Sequence, residues 1–225
     1  MTDSGAAYLE VMKEFFGKWV ARVTFLDQLA AQGHEEEALL LACCYVETLG
    51  NSLYADKREE SKRTFVRVLA EHGGNAAFGL VHPNQLREWL RRYPGKRGAR
   101  LAEELKIPLE QLVGQLFTKA QILQALEQHL DPQDREWLEP RLWHATYAAI
   151  VYTNVRSEAV HNFPAINVSF GQTVFDGVPL PDVNYSLVGP ALKAVLAYCG
   201  DVSLSSGKYY GHDFAHLFHS KDSGT

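Results

Sequence analysis

Apolar positions recur every three or four residues along most of this chain and alternate only in one short stretch near position 170. The first spacing predicts helices, because 3.6 residues per turn returns side chains to one face after three or four steps. A first helix is expected from Asp3 or Ser4 to about Gln32, with Leu9, Met12, Phe15, Phe16, Trp19, Val20, Val23, Leu26 and Leu29 as its apolar set and Gly33 as its stop. A second covers Glu35 to Tyr54, with acids in its first turn, where the helix dipole favours them. Its stripe is Leu39, Cys43, Val46, Gly50 and Leu53. A third covers Lys57 to Glu71, with Phe65, Val68 and Leu69 inward.

The middle is more broken. Pro83 after His82 opens a helix bearing Leu86, Trp89 and Leu90, and 93–98 reads as a loop. Short helices follow over Ala99–Lys106, Pro108–Phe117 and Lys119–Leu130, and Asp131-Pro132 begins a long helix reaching about Thr153. Asn162-Phe163-Pro164 ends helical character. Ile166, Val168 and Phe170 then alternate, as do Thr173 and Phe175 before Asp176-Gly177, which predicts a small β-hairpin. Ser186 caps a last helix over Leu187–Leu204 with Pro190 in its first turn, and the Gly-, Ser- and His-rich tail 205–225 is expected to be partly flexible. The expected fold is mainly α: one domain over 1–225, with a helical insertion at 82–130 and a β-hairpin before the last helix.

Composition narrows the function. Of 225 residues 46% are hydrophobic, enough for a core, and the net charge is -5. A protein that coats nucleic acid needs a broad cationic face, so that class is disfavoured, while a local RNA-binding patch is not. The three cysteines, Cys43, Cys44 and Cys199, offer neither a disulfide framework nor a C-x-x-C metal spacing, so buried free thiols are expected. There is no Walker loop, no G-x-G-x-x-G and no G-x-S-x-G. Without a secretory leader or an uncharged apolar run of spanning length, the chain is expected to be cytoplasmic and not in a membrane.

The chemistry concentrates in Tyr152-Thr153-Asn154-Val155-Arg156-Ser157-Glu158-Ala159-Val160-His161. Arg156 and His161 form an R-x4-H pair. On an unbroken α-helix positions five apart lie about 140° apart, so the two converge only if the helix changes near Ser157 or if they meet across a cleft or a dimer axis. Together they suit RNA cleavage. A 2′-OH attacking the adjacent phosphate needs a proton acceptor, the leaving 5′-oxygen needs a proton, and the phosphoryl oxygens need a cation. Histidine transfers protons near neutral pH, and arginine forks onto phosphate. The scheme requires no metal and no cofactor. The plainer alternatives are a helix-capping His161 and an Arg156 paired with Glu158.

Two segments carry a resemblance to the HEPN superfamily, helical bundles with an R-x4-6-H motif. Leu40-Leu41-Ala42-Cys43-Cys44-Tyr45-Val46-Glu47-Thr48-Leu49-Gly50 resembles its early helix, with Glu47 at the acidic position, and Ile150 to His161 resembles its motif helix. The resemblance covers about two-thirds of the chain. It implies a metal-independent endoribonuclease, usually a homodimer, acting on RNA as a toxin with an antitoxin partner, in phage defence, or in RNA processing. Arg156 and His161 match the two motif positions, and Ser157 departs from the Asn, Asp or His that many active members carry there. The alternative is a non-catalytic HEPN-like module that binds RNA or a protein. Glu47 is expected to orient the histidine, and Asn51, Tyr54, Asn154 and Ser157 to line the same cleft.

Two further features stand apart. Arg87, Arg91, Arg92, Lys96, Arg97 and Arg100, with Trp89 and Tyr93 between them, form a basic patch that could grip an RNA backbone, with Arg91 and Arg92 as the candidate contacts. His212, His216 and His219 share a helical spacing, although without the acid-bearing H-E-x-x-H pattern.

Overall fold

The computed structural model describes residues 3–54, 60–112, 115–157, 174–175, 178–179, 183–206, 208–209 and 212–213. The described chain is mainly helical and divides into two compact units, Met1–Gly74 with Asn184–Thr225, and Asn75–Val183. The segment expected as an insertion, 82–130, falls wholly within the second.

The first unit packs α1 (Asp3–Ala31), α2 (Glu35–Leu53), α3 (Ser61–His72) and α10 (Tyr185–Ser206) side by side. On α1 the buried positions among the described side chains are Tyr8, Met12, Phe16, Trp19, Val23 and Leu26, in steps of four and three that keep one narrow stripe inward. Val20, which the apolar pattern included, points to solvent at 55% exposure. Opposite it α2 buries Leu39, Ala42, Cys43 and Val46, α3 buries Phe65, Val68 and Leu69, and α10 buries Val188, Leu192, Val195 and Cys199. Gly50 lets α2 approach α3 closely, since a Cβ there would lie 3.1 Å from the Thr64 carbonyl oxygen and 3.2 Å from Val68.

Helix α10 starts two residues before its expected first residue. Asn184 rather than Ser186 supplies the cap, its Oδ1 accepting from the Leu187 amide at 3.1 Å. With 22 residues and a mean hydropathy of 1.3, α10 is the one helix among the described residues long and apolar enough to cross a bilayer. It is interrupted by Lys193 and Asp201, and its apolar residues pack against α1, α2 and α3. Tyr185 and Lys193 tie it to α1: the Tyr185 hydroxyl donates to Asp27 at 2.9 Å and the Lys193 ammonium lies 2.8 Å from the other carboxylate oxygen.

The second unit is built from short helices around one apolar cluster: α4 (Pro83–Arg92), α5 (Lys96–Glu104), α6 (Lys106–Glu110), α7 (Lys119–Ala125), α8 (Pro132–Leu138) and α9 (Tyr147–Val151). Leu86, Leu90, Leu101, Leu105, Leu109, Ile122, Leu126, Leu138 and Leu142 form its core. Local caps set the starts. His82 Nδ1 accepts from the Gln85 amide, Thr118 and Gln121 make a capping box, and Asp131 accepts from the Asp134 amide at 2.7 Å. The loop expected at 93–98 is shorter, because α5 already begins at Lys96 behind Gly95, whose φ of 110° suits glycine.

The long helix expected from Asp131 to Thr153 is interrupted. After α8 the chain narrows to a 3-10 helix over Glu139–Ala145, extends at Thr146, resumes as α9, and widens to a π-helix over Tyr152–Ser157. Pro140 lacks an amide for the α pattern, and the Tyr147 amide is drawn to the Leu80 carbonyl instead. Val174–Phe175 pairs antiparallel with Val178–Pro179, around the Asp176-Gly177 turn signal; 166–173 lies outside the described residues. A second two-residue ladder joins Lys208–Tyr209 to His212–Asp213.

Candidate functional site

Arg156 lies on the π-helix that follows α9. Hydrogen bonding in a π turn reaches five residues along the chain, which widens the turn and brings positions five apart toward one face. Val155 is buried, anchoring the turn, and the Thr153 hydroxyl donates back to the Ala149 carbonyl at 2.8 Å. Asn154 is half-buried on the same turn. For Arg156 and Ser157 only the backbone is described, and Glu158 and His161 lie outside the described residues.

Glu47 is a buried carboxylate on α2, at 8% exposure, between the buried Val46 and Leu49. Glu47, Asn51 and Tyr54 belong to the first unit, and Arg91, Arg92, Asn154 and Arg156 to the second. Within the first unit Asn51 turns to α3, its Oδ1 2.5 Å from the Thr64 hydroxyl.

Tyr54 enters a network that the sequence did not reveal. Its hydroxyl donates to Glu71 at 2.8 Å and lies 3.2 Å from His72 Nε2, while the Arg67 guanidinium sits 4.1 Å from the Tyr54 ring centroid. Arg67 also donates to Glu71 at 3.0 Å, and the His72 ring stacks on Tyr198 of α10 at 3.6 Å. If the hydroxyl gives its one proton to Glu71, it accepts from Nε2–H of a neutral His72. Electrostatics agree. Burial pushes the Tyr54 phenol well above its ordinary range, and the Glu71 carboxylate adds to that. Burial raises Glu71 too, but the hydrogen bonds from Tyr54 and Arg67 outweigh it and hold the carboxyl below its usual range. Burial lowers His72, keeping the imidazole neutral at pH 7. Of these contacts only Arg67 with Glu71, four apart on one helix, was visible as a spacing. Joining α2, α3 and α10 is what the network does.

The basic patch is largely matched within the second unit. Arg91 and Arg92 share Glu88 at 2.9 and 3.8 Å, and Arg87 pairs with Glu110 at 2.9 Å. Arg100 donates to both oxygens of the buried Asp134 at 2.7 Å and to Glu104 at 2.6 Å, with Arg97 at 3.6 Å from Asp134. Arg91 and Arg92 are therefore weaker candidates for phosphate contacts than their spacing implied. His212 lies in the short ladder, and His216 and His219 lie outside the described residues; among the described residues no group of three His, Cys, Asp or Glu side chains could hold a metal ion. Burial pushes the Cys199 thiol up to about 12, consistent with an inert core thiol. No family model matches the chain, and neither a curated protein nor a solved structure matches it significantly.

Proposed function

We propose that this protein is a metal-independent endoribonuclease of HEPN type, with Arg156 and His161 as its reacting pair. The observation that carries the reading is the π turn at Tyr152–Ser157. An unbroken α-helix would set the two motif positions apart, and the π turn ends that regular winding at Arg156 and Ser157, where a change of winding is what convergence requires. π turns are also frequent at functional sites, because a chain does not keep this poorer winding without compensation.

In this scheme His161 accepts the proton of a ribose 2′-OH, whose oxygen attacks the adjacent phosphorus. Arg156 binds the phosphoryl oxygens as charge grows there, and the 5′-oxygen leaves with a proton. The strand ends as a 2′,3′-cyclic phosphate and a 5′-hydroxyl. If a homodimer forms, the second histidine is available as the acid. An antitoxin or a role in phage defence would follow from such an activity. Cleavage of mixed RNAs by the purified protein in EDTA tests the reading. His161→Ala should lose about 10²- to 10⁴-fold in rate, with its circular dichroism unchanged. RNA left intact by the wild-type chain, or cut equally by His161→Ala, contradicts it. One observation favours the second reading, a non-catalytic binding module: a half-buried cluster of aromatic rings and guanidinium groups on the second unit.

A further inference from the structure

Helices α1 and α10 run antiparallel, with Phe16 beside Gly200 towards one end of their contact and Asp27 beside Lys193 towards the other. Between them lies a trough of about 330 Å³, open to solvent. Along α10 it extends from Lys193 to Leu204, about 16 Å of helix. Its walls are mostly carbon: Phe16 and Val20 from α1, Leu196 and Leu204 from α10. Val20 is left 55% exposed there. The floor is Gly200, with Ala197 one turn before it. A Cβ at Gly200 would meet the Phe16 ring at 3.7 Å, an ordinary contact, so the packing of the two helices does not require a glycine. Glycine is disfavoured against alanine inside a helix, because its backbone loses more freedom on folding. Helix α10 carries it all the same, and what the missing methyl leaves is depth in the trough.

Only two charged side chains line the trough, Lys193 and Asp201. The Lys193 ammonium is matched by Asp27 at 2.8 Å. Asp201, near the Phe16 end, is exposed and makes no ion pair among the described residues. The charges of α1 do not supply one: Lys13 pairs with Glu10 at 2.9 Å, Lys18 with Glu14 at 2.6 Å, and the Arg22 guanidinium sits over the Trp19 ring at 5.2 Å. The trough is therefore apolar along its length, neutral at the Lys193 end and negative at the Asp201 end. A narrow apolar channel of this length suits an extended alkyl chain, and the charge at its end suits a cation and opposes an anion.

We propose that the trough between α1 and α10 binds a linear alkyl amphiphile with a cationic head, its chain lying over Gly200 and against Val20 and Leu196 and its head at Asp201. The site uses neither Arg156 nor His161, so it stands or falls apart from the nuclease reading. The test is calorimetric titration of the full chain with decylammonium and, separately, with decanoate, both below the concentrations at which they form micelles. One saturable site for decylammonium is expected, with decanoate bound several-fold more weakly. Asp201→Asn, at an exposed position, should weaken decylammonium about two- to fivefold and bring the two probes closer in affinity. Gly200→Ala separates a kept-open floor from a packing need: it should raise the urea midpoint, because alanine favours the helix, and yet weaken decylammonium about tenfold. Ala197→Trp, also at an exposed position, fills the trough and should abolish binding; it decides the matter if Gly200→Ala misfolds. The proposal is overturned by the absence of saturable binding, by equal affinity for the two probes, or by binding that survives Ala197→Trp. A dimer in sedimentation that Ala197→Trp dissociates would overturn it in favour of a second copy of the chain in the trough.

Discussion

At His72 burial disfavours the imidazolium; Glu71 works against that and Arg67 with it, and the net is a pKa below the ordinary 6.5. The unfolded chain takes up a proton near that pH which the folded chain resists. The corresponding stability is therefore fully present above pH 6.5 and is lost as the pH falls below it, until the folded value is passed. Chemical denaturation between pH 7.5 and 5.5 measures this. His72→Phe, which keeps a ring against Tyr198, should have a shallower fall than the wild type; equal slopes would contradict the burial argument. Asp134 makes a second demand, as a carboxylate at 3% exposure held by Arg100. Arg100→Met leaves that carboxylate with only Arg97, and the combined Arg100→Met and Asp134→Leu variant removes the stranded charge. The double variant should be less destabilised than the two single losses added together, as read from urea midpoints; simple additivity would mean that the pair does not interact.

Among the elements, α4 and α5 touch most closely at Gly98, where a Cβ would lie 2.8 Å from both the Leu90 carbonyl oxygen and the Tyr93 Cβ. Alanine gains up to about 1 kcal/mol in helix propensity, but overpacking against backbone costs about 1–3 kcal/mol. Gly98→Ala should therefore lower the stability of the second unit by about 1 kcal/mol, and a raised urea midpoint would contradict the close approach. Leu192, fully buried on α10, should cost about 2–5 kcal/mol on change to alanine, measured in the same way. Helices that bury one stripe were legible in the sequence: apart from Tyr8, the inward set of α1 belongs to its apolar repeat. The stretch 132–157 was not, because its periodicity looks continuous while Pro140 lacks an amide and the amide of Tyr147 bonds to Leu80, far off in the chain. The π turn has no periodic signature of its own, so its position beneath Arg156 emerged only from the backbone.

For the whole molecule, the unit boundaries fall at Gly73-Gly74 and just after Pro179-Leu180-Pro181, short turn and extended signals that do not by themselves announce a second unit. The Tyr54 network escaped notice because α2, α3 and α10 contribute to it from separate parts of the chain, and tertiary proximity leaves no spacing rule. The R-x4-H pair is a pattern of one short segment, of which the described residues include the backbone of Arg156 but not His161. With a net charge of -5, the proposed RNA binding falls to local sites, so it should weaken with salt without the steep dependence of a nucleic-acid coat. The most direct measurement is identification of the ends left on an RNA cut in EDTA, beside the same RNA with its 2′-hydroxyls methylated. The account predicts 2′,3′-cyclic phosphate and 5′-hydroxyl ends on the first and no cutting of the second. Ends bearing a 3′-hydroxyl, or cutting of the methylated strand, would contradict it.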